Sequence, residues 1–229
     1  MTGGPSQHSG QQKVDYSREG VNYSSQKYTV LQTAEFQKWL RKLKDRNARD
    51  RIVTRIVRAE AGNLGDHKFF DGIGELRLDY GPGYRLYFAM QGSVVVILLC
   101  GATRAARIGT SSEQSKCPRR YEMALEIIPF DATEFLDTEE SQAHLIEDAF
   151  ESGDAGYIAH ALGVVAKARG MSQVARDAGV TREALYKSLS EKGDPKLSTL
   201  IGVAAALGYK LTATRVDDSD THEDARRSA

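Results

Sequence analysis

Apolar residues recur along this chain with two periods, and the switches between them mark its parts. Tyr28 to Gln32 alternates like a strand. Phe36, Leu40 and Leu43 then share a helical face beside Trp39, with Thr33 placed as the cap. A second helix is expected from about Ala48 to Ala59, burying Ile52, Ile56 and Val57. After Gly62-Asn63-Leu64-Gly65 the period drops to two, predicting strands at His67–Asp71, Gly74–Tyr80, Tyr84–Ala89 and Val94–Cys100. Gly81-Pro82-Gly83 closes a hairpin. A register symmetric about Pro82 sets Leu78 opposite Leu86 and Leu76 opposite Phe88 on a core face. It sets Asp79 opposite Arg85, and Arg77 opposite Tyr87, on the other face.

Helical spacing returns in the rear of the chain. Leu125–Pro129 reads as a short extended piece, Asp131 as the cap of one helical turn, and Asp137 with Glu140 as a capping box for Glu139–Glu151. Gly153-Asp154 opens a helix with Ile158, Leu162 and Val165 on one face, ending at Arg169-Gly170. Met171 to Leu189 has helix-turn-helix spacing. Val174, Ala175 and Ala178 point inward, Gly179 supplies a positive φ, and Val180 fills the corner. Thr181 caps a second helix holding Leu185 and Leu189. Gly193-Asp194-Pro195 starts a last helix with Leu197, Leu200, Ile201 and Ala204 inward, closed by Gly208, and Tyr209–Thr214 alternates like a strand.

The expected organisation is α+β. A two-helix plus antiparallel-sheet domain spans 28–108, a linker 109–121, and an acidic arm with an all-α helix-turn-helix domain 122–214. Segments 1–27 and 215–229 are polar and aperiodic, and are expected to be disordered tails.

Charge adds to this division. The formal net charge of zero hides blocks: 28–108 carries 14 basic and 8 acidic residues, whereas 122–154 carries 11 acidic residues and neither Lys nor Arg. Opposite blocks of this size favour docking of the acidic arm on the basic half. Within the basic block, Arg49, Arg51, Arg55 and Arg58 form a ladder on the second helix, following Arg41, Lys42 and Lys44. A solvated face or a polyanion-facing surface would both account for it. Cys100 and Cys117 are too few for a metal or disulfide framework and fit a reducing cytoplasm. The longest apolar run, Val94–Cys100, is far short of a membrane span, and the N-terminus lacks the charged start and apolar core expected of a signal peptide. The five histidines stand at no ligand spacing and read as incidental; no metal or cofactor is expected.

Two clusters carry candidate chemistry. On the second helix of the helix-turn-helix, Arg182, Glu183, Tyr186 and Lys187 share the face away from the core, flanked by Thr181 and Ser190. Arg and Lys suit guanine edges, and hydroxyls suit phosphates, so this face is expected to bind duplex DNA, with Lys192 and Lys196 as backbone contacts. A solvated bundle helix is the plainer alternative. On the outer hairpin face, Asp79–Arg85 and Arg77 over Tyr87 read either as cross-strand stabilisers or as a site for RNA phosphodiester chemistry. In such a site an Arg stabilises charge on phosphate while Tyr or Asp handles a proton.

The strings GNLGDHKFF, GELRLDYGPGYRLYF and VVVILLCG, in the order strand, two helices, antiparallel strands, resemble the RelE/ParE toxin superfamily, nearest its phage-derived, HigB-like branch. The resemblance runs from about Tyr28 to Gly101. It implies an endoribonuclease that cuts mRNA on the ribosome, or in some relatives a gyrase poison, with Arg77, Arg85, Tyr87 and Lys68 as the catalytic positions. Where such toxins continue with an Asp-Lys pair and a basic helix, this chain reads CGATRAARIGTSSEQSKCPRR, so the implied nuclease is degenerate or latent. FDATEFLDTEE and GVTREALYKSLSEKGDPKLSTLIGVAAALGYKL resemble the addiction-module antidotes, HigA-like helix-turn-helix proteins encoded beside such toxins. Toxin then antidote in one chain implies a self-neutralised fusion, a homodimer on operator DNA that regulates its own transcription. The alternatives are an active ribosome-dependent mRNA interferase with an inhibitor in cis, or a gyrase inhibitor.

Overall fold

In the computed structural model, residues 27–70, 73–91, 95–103, 126–190 and 193–213 are described. The expected linker 109–121 and the two tails lie outside these residues, apart from Lys27, as does Lys192. β1 (Thr29–Thr33) ends on the residue that starts α1 (Ala34–Lys42): the Thr33 hydroxyl accepts the Phe36 N–H at 3.2 Å. Asp45 caps α2 (Arg46–Glu60) by accepting the Ala48 N–H at 3.0 Å. β2 (His67–Phe70), β3 (Ile73–Leu78), β4 (Tyr84–Gln91) and β5 (Val95–Thr103) follow. The rear half comprises β6 (Ile127–Pro129), a 3-10 turn (Ala132–Phe135), α3 (Glu139–Glu151), α4 (Ala155–Arg169), α5 (Met171–Asp177), α6 (Arg182–Ser188) and α7 (Leu197–Ala206).

The strands form one sheet in the order β2-β3-β4-β5-β1-β6. It is mixed rather than antiparallel, because β1 runs parallel to β5, with Leu31 opposite Ile97. A parallel neighbour needs a long crossover, and α1, α2 and the three strands after them supply it. β6 closes the far edge antiparallel to β1, with Leu31 opposite Pro129. The rear half is therefore not wholly helical: its first element completes the sheet of the front half.

The β3–β4 register also departs from expectation. Leu76 faces Leu86, Arg77 faces Arg85, and Leu78 faces Tyr84. The loop takes five residues, 79–83, because Gly81 and Gly83 both adopt positive φ (53° and 73°) and the Gly83 N–H returns to the Tyr80 carbonyl at 2.9 Å. The slip is two residues, so each side chain keeps its face. Leu76, Leu86 and Phe88 point to the core with Phe36, Leu40, Ile52 and Ile56. Gly74 lies beneath the Phe88 ring, where an added Cβ would come within 2.1 Å of it.

Three details of the rear half differ from the sequence reading. α3 is capped by Thr138, whose hydroxyl accepts the Ser141 N–H at 3.3 Å, while Asp137 is drawn outward to Arg46 at 2.8 Å. On α7, Val203, Ala204 and Leu207 are buried, whereas Leu197 and Ile201 are 68% and 49% exposed. Gly202 fixes that rotation, since a Cβ there would stand 3.0 Å from the Ala178 carbonyl of the helix-turn-helix corner. Tyr209 to Ala213 forms no strand: the Tyr209 N–H turns back to the Ala204 carbonyl at 2.8 Å past Gly208, whose φ is 83°. No helix among the described residues is long and apolar enough to cross a membrane.

Candidate functional site

Two surfaces gather the chemistry expected from the sequence. The first is the face of β2–β4 opposite the core. Cross-strand pairing sets Lys68 beside Glu75, Glu75 beside Tyr87, and Arg77 beside Arg85, so Lys68, Arg77, Arg85 and Tyr87 share one patch. At its centre is a residue the sequence reading passed over. Glu75 is buried, its Oε1 3.2 Å from the Arg85 Nε and its Oε2 3.6 Å from the Arg77 Nε. Its signal was available, because Glu75 stands two residues before Arg77 and so on the same face. Arg85 also donates to the Tyr84 carbonyl at 2.9 Å and reaches Asp79 only at 4.0 Å. The revised register puts Glu75, not Arg77, opposite Tyr87, and the Tyr87 ring meets Phe70 edge-on with centroids 6.2 Å apart. Arg85 and Tyr87 are both buried, while Lys68 is exposed.

The second surface is built by α5 and α6. Val174, Ala175, Leu185 and Leu189 are buried where the two helices meet. The corner adopts the expected form, with Gly179 at φ 69° and the Val180 N–H donating to the Ala175 carbonyl at 3.0 Å. Thr181 accepts the Ala184 N–H at 3.1 Å and caps α6. Arg182, Glu183, Tyr186, Lys187 and Ser190 are exposed, and the Arg182 guanidinium stacks over the Tyr186 ring at 5.3 Å. Behind α6, Gly163 of α4 admits the Leu189 backbone, since a Cβ at Gly163 would lie 3.0 Å from its carbonyl oxygen. A cleft of about 360 Å³ opens beside α6, with Tyr186 and Ser190 on one wall and Glu60 and His160 on another.

The acidic segment lies against the basic helices. Glu134 pairs with Arg41 at 2.7 Å, Asp137 with Arg46 at 2.8 Å, and Asp148 with Arg58 at 3.7 Å. Tyr157 of α4 donates to Asp148 at 2.7 Å and lies under Arg58, 6.0 Å from centroid to guanidinium carbon. Burial, reinforced by the Asp148 charge, drives the Tyr157 phenol far above its ordinary pKa. His160, read from the sequence as incidental, bridges to Glu60 at 3.0 Å, and His144 lines the groove between α2 and α3. Among the described residues neither histidine belongs to a group of three or more His, Cys, Asp or Glu that could hold a metal ion. Only the fold brings each to the opposite half of the chain.

Residues 126–215 match the family described as probable addiction module antidote protein. Through that region the chain belongs to the addiction module antidote family. The antidote match begins at the strand that completes the sheet and runs past the helix-turn-helix, so antidote residues supply both the docked acidic segment and the exposed α6 face. An uncharacterized Haemophilus influenzae protein is 49% identical over 79 residues, which is 34% of this chain and 80% of the relative. A second from the same organism is 41% identical over 89 residues, 39% of this chain and 92% of the relative. No solved structure matches. Antidote membership sets the chain in an addiction-module context and implies a toxin partner.

Proposed function

We propose that the toxin partner is the front half of the same polypeptide. In this reading residues 28–108 are a RelE/ParE-like, HigB-type toxin and 122–214 its antidote, joined through 109–121. The observation that carries it is the docking of antidote residues on the basic front half: β6 on β1, and Glu134, Asp137 and Asp148 on Arg41, Arg46 and Arg58. A tether turns inhibition between two chains into an event with an effective concentration in about the millimolar range, which keeps the toxin silent. The burial of Arg85 and Tyr87, and the pairing of Arg85 with Glu75 at 3.2 Å, favour a latent or lost nuclease over an active one. Growth assays on residues 28–121 alone and on the full chain separate the alternatives. Arrest by the fragment that Arg85→Ala abolishes supports a latent ribosome-dependent mRNA interferase; harmless expression supports a dead one. Relaxed plasmid with intact mRNA would instead assign a gyrase inhibitor.

The α6 face is the proposed DNA reader. Arg182, Tyr186 and Lys187 would contact bases or clamp the groove, with Thr181, Ser190 and Lys196 on phosphates and Glu183 set to accept from a cytosine amino group. Two copies would span a palindrome with half-sites one turn apart, autoregulating the operon. Footprinting of the upstream region with the full chain, and with the Arg182→Ala/Lys187→Ala variant, tests this. Protection should vanish in the variant, and affinity should fall with salt by about 0.9 log units per phosphate contact per tenfold rise. Protection that survives the double substitution rejects the assignment.

A further inference from the structure

Between α2 and α3 lies a cleft of about 170 Å³ that meets the hairpin face only at Arg77 and Asp79. Arg51, Thr54, Arg55 and Arg58 line it from one face of α2, Arg77 and Tyr80 from the hairpin, and His144 and Asp148 from α3. Four guanidiniums and two carboxylates, Asp79 and Asp148, line the cleft itself, with Glu75 and Asp66 beside Arg77 outside it.

None of the four is well matched. The Arg51 guanidinium carbon stands 4.7 Å from the Tyr80 ring centroid, a contact with a π face rather than with a counter-ion. Arg55 donates to a neutral partner, the Asp66 carbonyl, at 2.8 Å. Arg58 reaches Asp148 only at 3.7 Å, and Arg77 reaches Glu75 and Asp66 at 3.6 and 3.9 Å. The Nε of Arg55, the Nε of Arg58, the Thr54 hydroxyl and the His144 Nε2 are buried without a hydrogen-bond partner, and Thr54 as a whole is 3% exposed. Such orphans in a native fold ask for a missing partner. Burial, then the neighbouring Arg58 charge, lowers the Arg55 pKa against the opposing pull of Asp66 and Asp148. The chain makes room for this crowding: Gly65, at φ 53°, stands where any Cβ would collide with the Arg55 guanidinium.

We infer that this cleft binds a phosphate group, held by Arg51, Arg55 and Arg58 with Thr54 and His144 completing its donors. The donors converge from α2 and α3. That spread suits an anion whose oxygens point in several directions better than a planar carboxylate. Asp148 shares the cleft and its like charge opposes the ligand, so the site senses how α3 is seated. The inference stands whether or not the front half is a toxin.

The test is titration of the full chain with inorganic phosphate, then pyrophosphate, then a short single-stranded RNA. Ionic strength is held constant with chloride, and binding is read by calorimetry and phosphorus NMR. Saturable phosphate binding is expected. Arg51→Gln, at an exposed position, should weaken it by about threefold to tenfold, and Arg55→Gln should abolish it, as loss of a charge-assisted donor implies. Asp148→Asn should tighten it by about threefold or more. If Arg55→Gln unfolds the chain, the opposed responses of the other two variants still decide. RNA that competes with phosphate and is weakened by Arg51→Gln supports the site and names a polymer as its source. Overturning results are absence of saturation through the millimolar range, responses identical in all variants, or RNA binding indifferent to Arg51→Gln.

Discussion

Tyr157 shows what one side chain can decide. It is buried, donates its hydroxyl to Asp148, and lies beneath Arg58, so it joins α4, α3 and α2 at one point. Its phenol is raised above the ordinary value, so the folded state holds the proton that the unfolded chain releases near pH 10. That contribution is complete below about pH 10 and is lost as pH climbs beyond it. Tyr157→Phe should flatten the alkaline limb of the stability profile, and at neutral pH cost about 1.5–3 kcal/mol for the hydrogen bond to a charged acceptor. Urea melts from pH 7 to 11 check both. Gly74→Ala, which drives a methyl into the Phe88 ring, should cost about 1–3 kcal/mol by overpacking, read as a lowered urea midpoint with unchanged slope. Neither role was legible in the sequence. Tyr157 sits in an ordinary helical pattern and Gly74 in an ordinary strand, and only the crossing of elements gives them their partners.

At the scale of elements, local chemistry was readable wherever a residue's partner lies within one turn. Thr33, Asp131 and Thr181 were expected as caps and are caps, because cap geometry depends on residues two or three positions on. The α3 cap moved from Asp137 to Thr138 because a distant cation, Arg46, competes for Asp137. The helix-turn-helix followed from its Gly179, whereas the outward turn of Leu197 and Ile201 depends on how closely Gly202 meets Ala178. Asp131 links a cap to pH. Burial pulls its pKa up, but the Thr133 hydroxyl and N–H, together with Lys167, outweigh that and hold it below the usual carboxylate range. Its contribution is therefore present above about pH 4 and lost as pH falls below. Asp131→Asn should lower stability at pH 7 and leave an acid limb less steep than wild type, measured by thermal melts from pH 2 to 7.

For the whole molecule, the charge blocks foretold the contact between halves but not its form. Arg41–Glu134 and Arg46–Asp137 are exposed pairs, each worth about 0–1 kcal/mol and screened by salt. Glu134→Gln/Asp137→Asn should thus lower stability by no more than about 2 kcal/mol in dilute buffer. The loss should disappear near 1 M salt, where the screening length is about 3 Å. Hydrogen exchange at the β1–β6 pairing should stay slow in that variant, since those bonds are backbone bonds. The candidate catalytic face was legible as a set, because strand alternation survives a two-residue slip. Glu75 was the residue missed, and it changes the electrostatics of that set most. Direct measurement of each half's affinity for the other would show how much the sheet edge adds to the charges.

The place of β6 in the chain has a temporal consequence. Ile127 follows Thr103, the end of β5, by 24 residues, so a ribosome finishes the front half before it makes the strand that lies along β1. At about 5–20 residues per second that interval is roughly one to five seconds. A front half that folds within that interval presents a bare β1 edge until β6 arrives. Slowing elongation across residues 104–126 with rare codons would lengthen the exposure without altering a single amino acid.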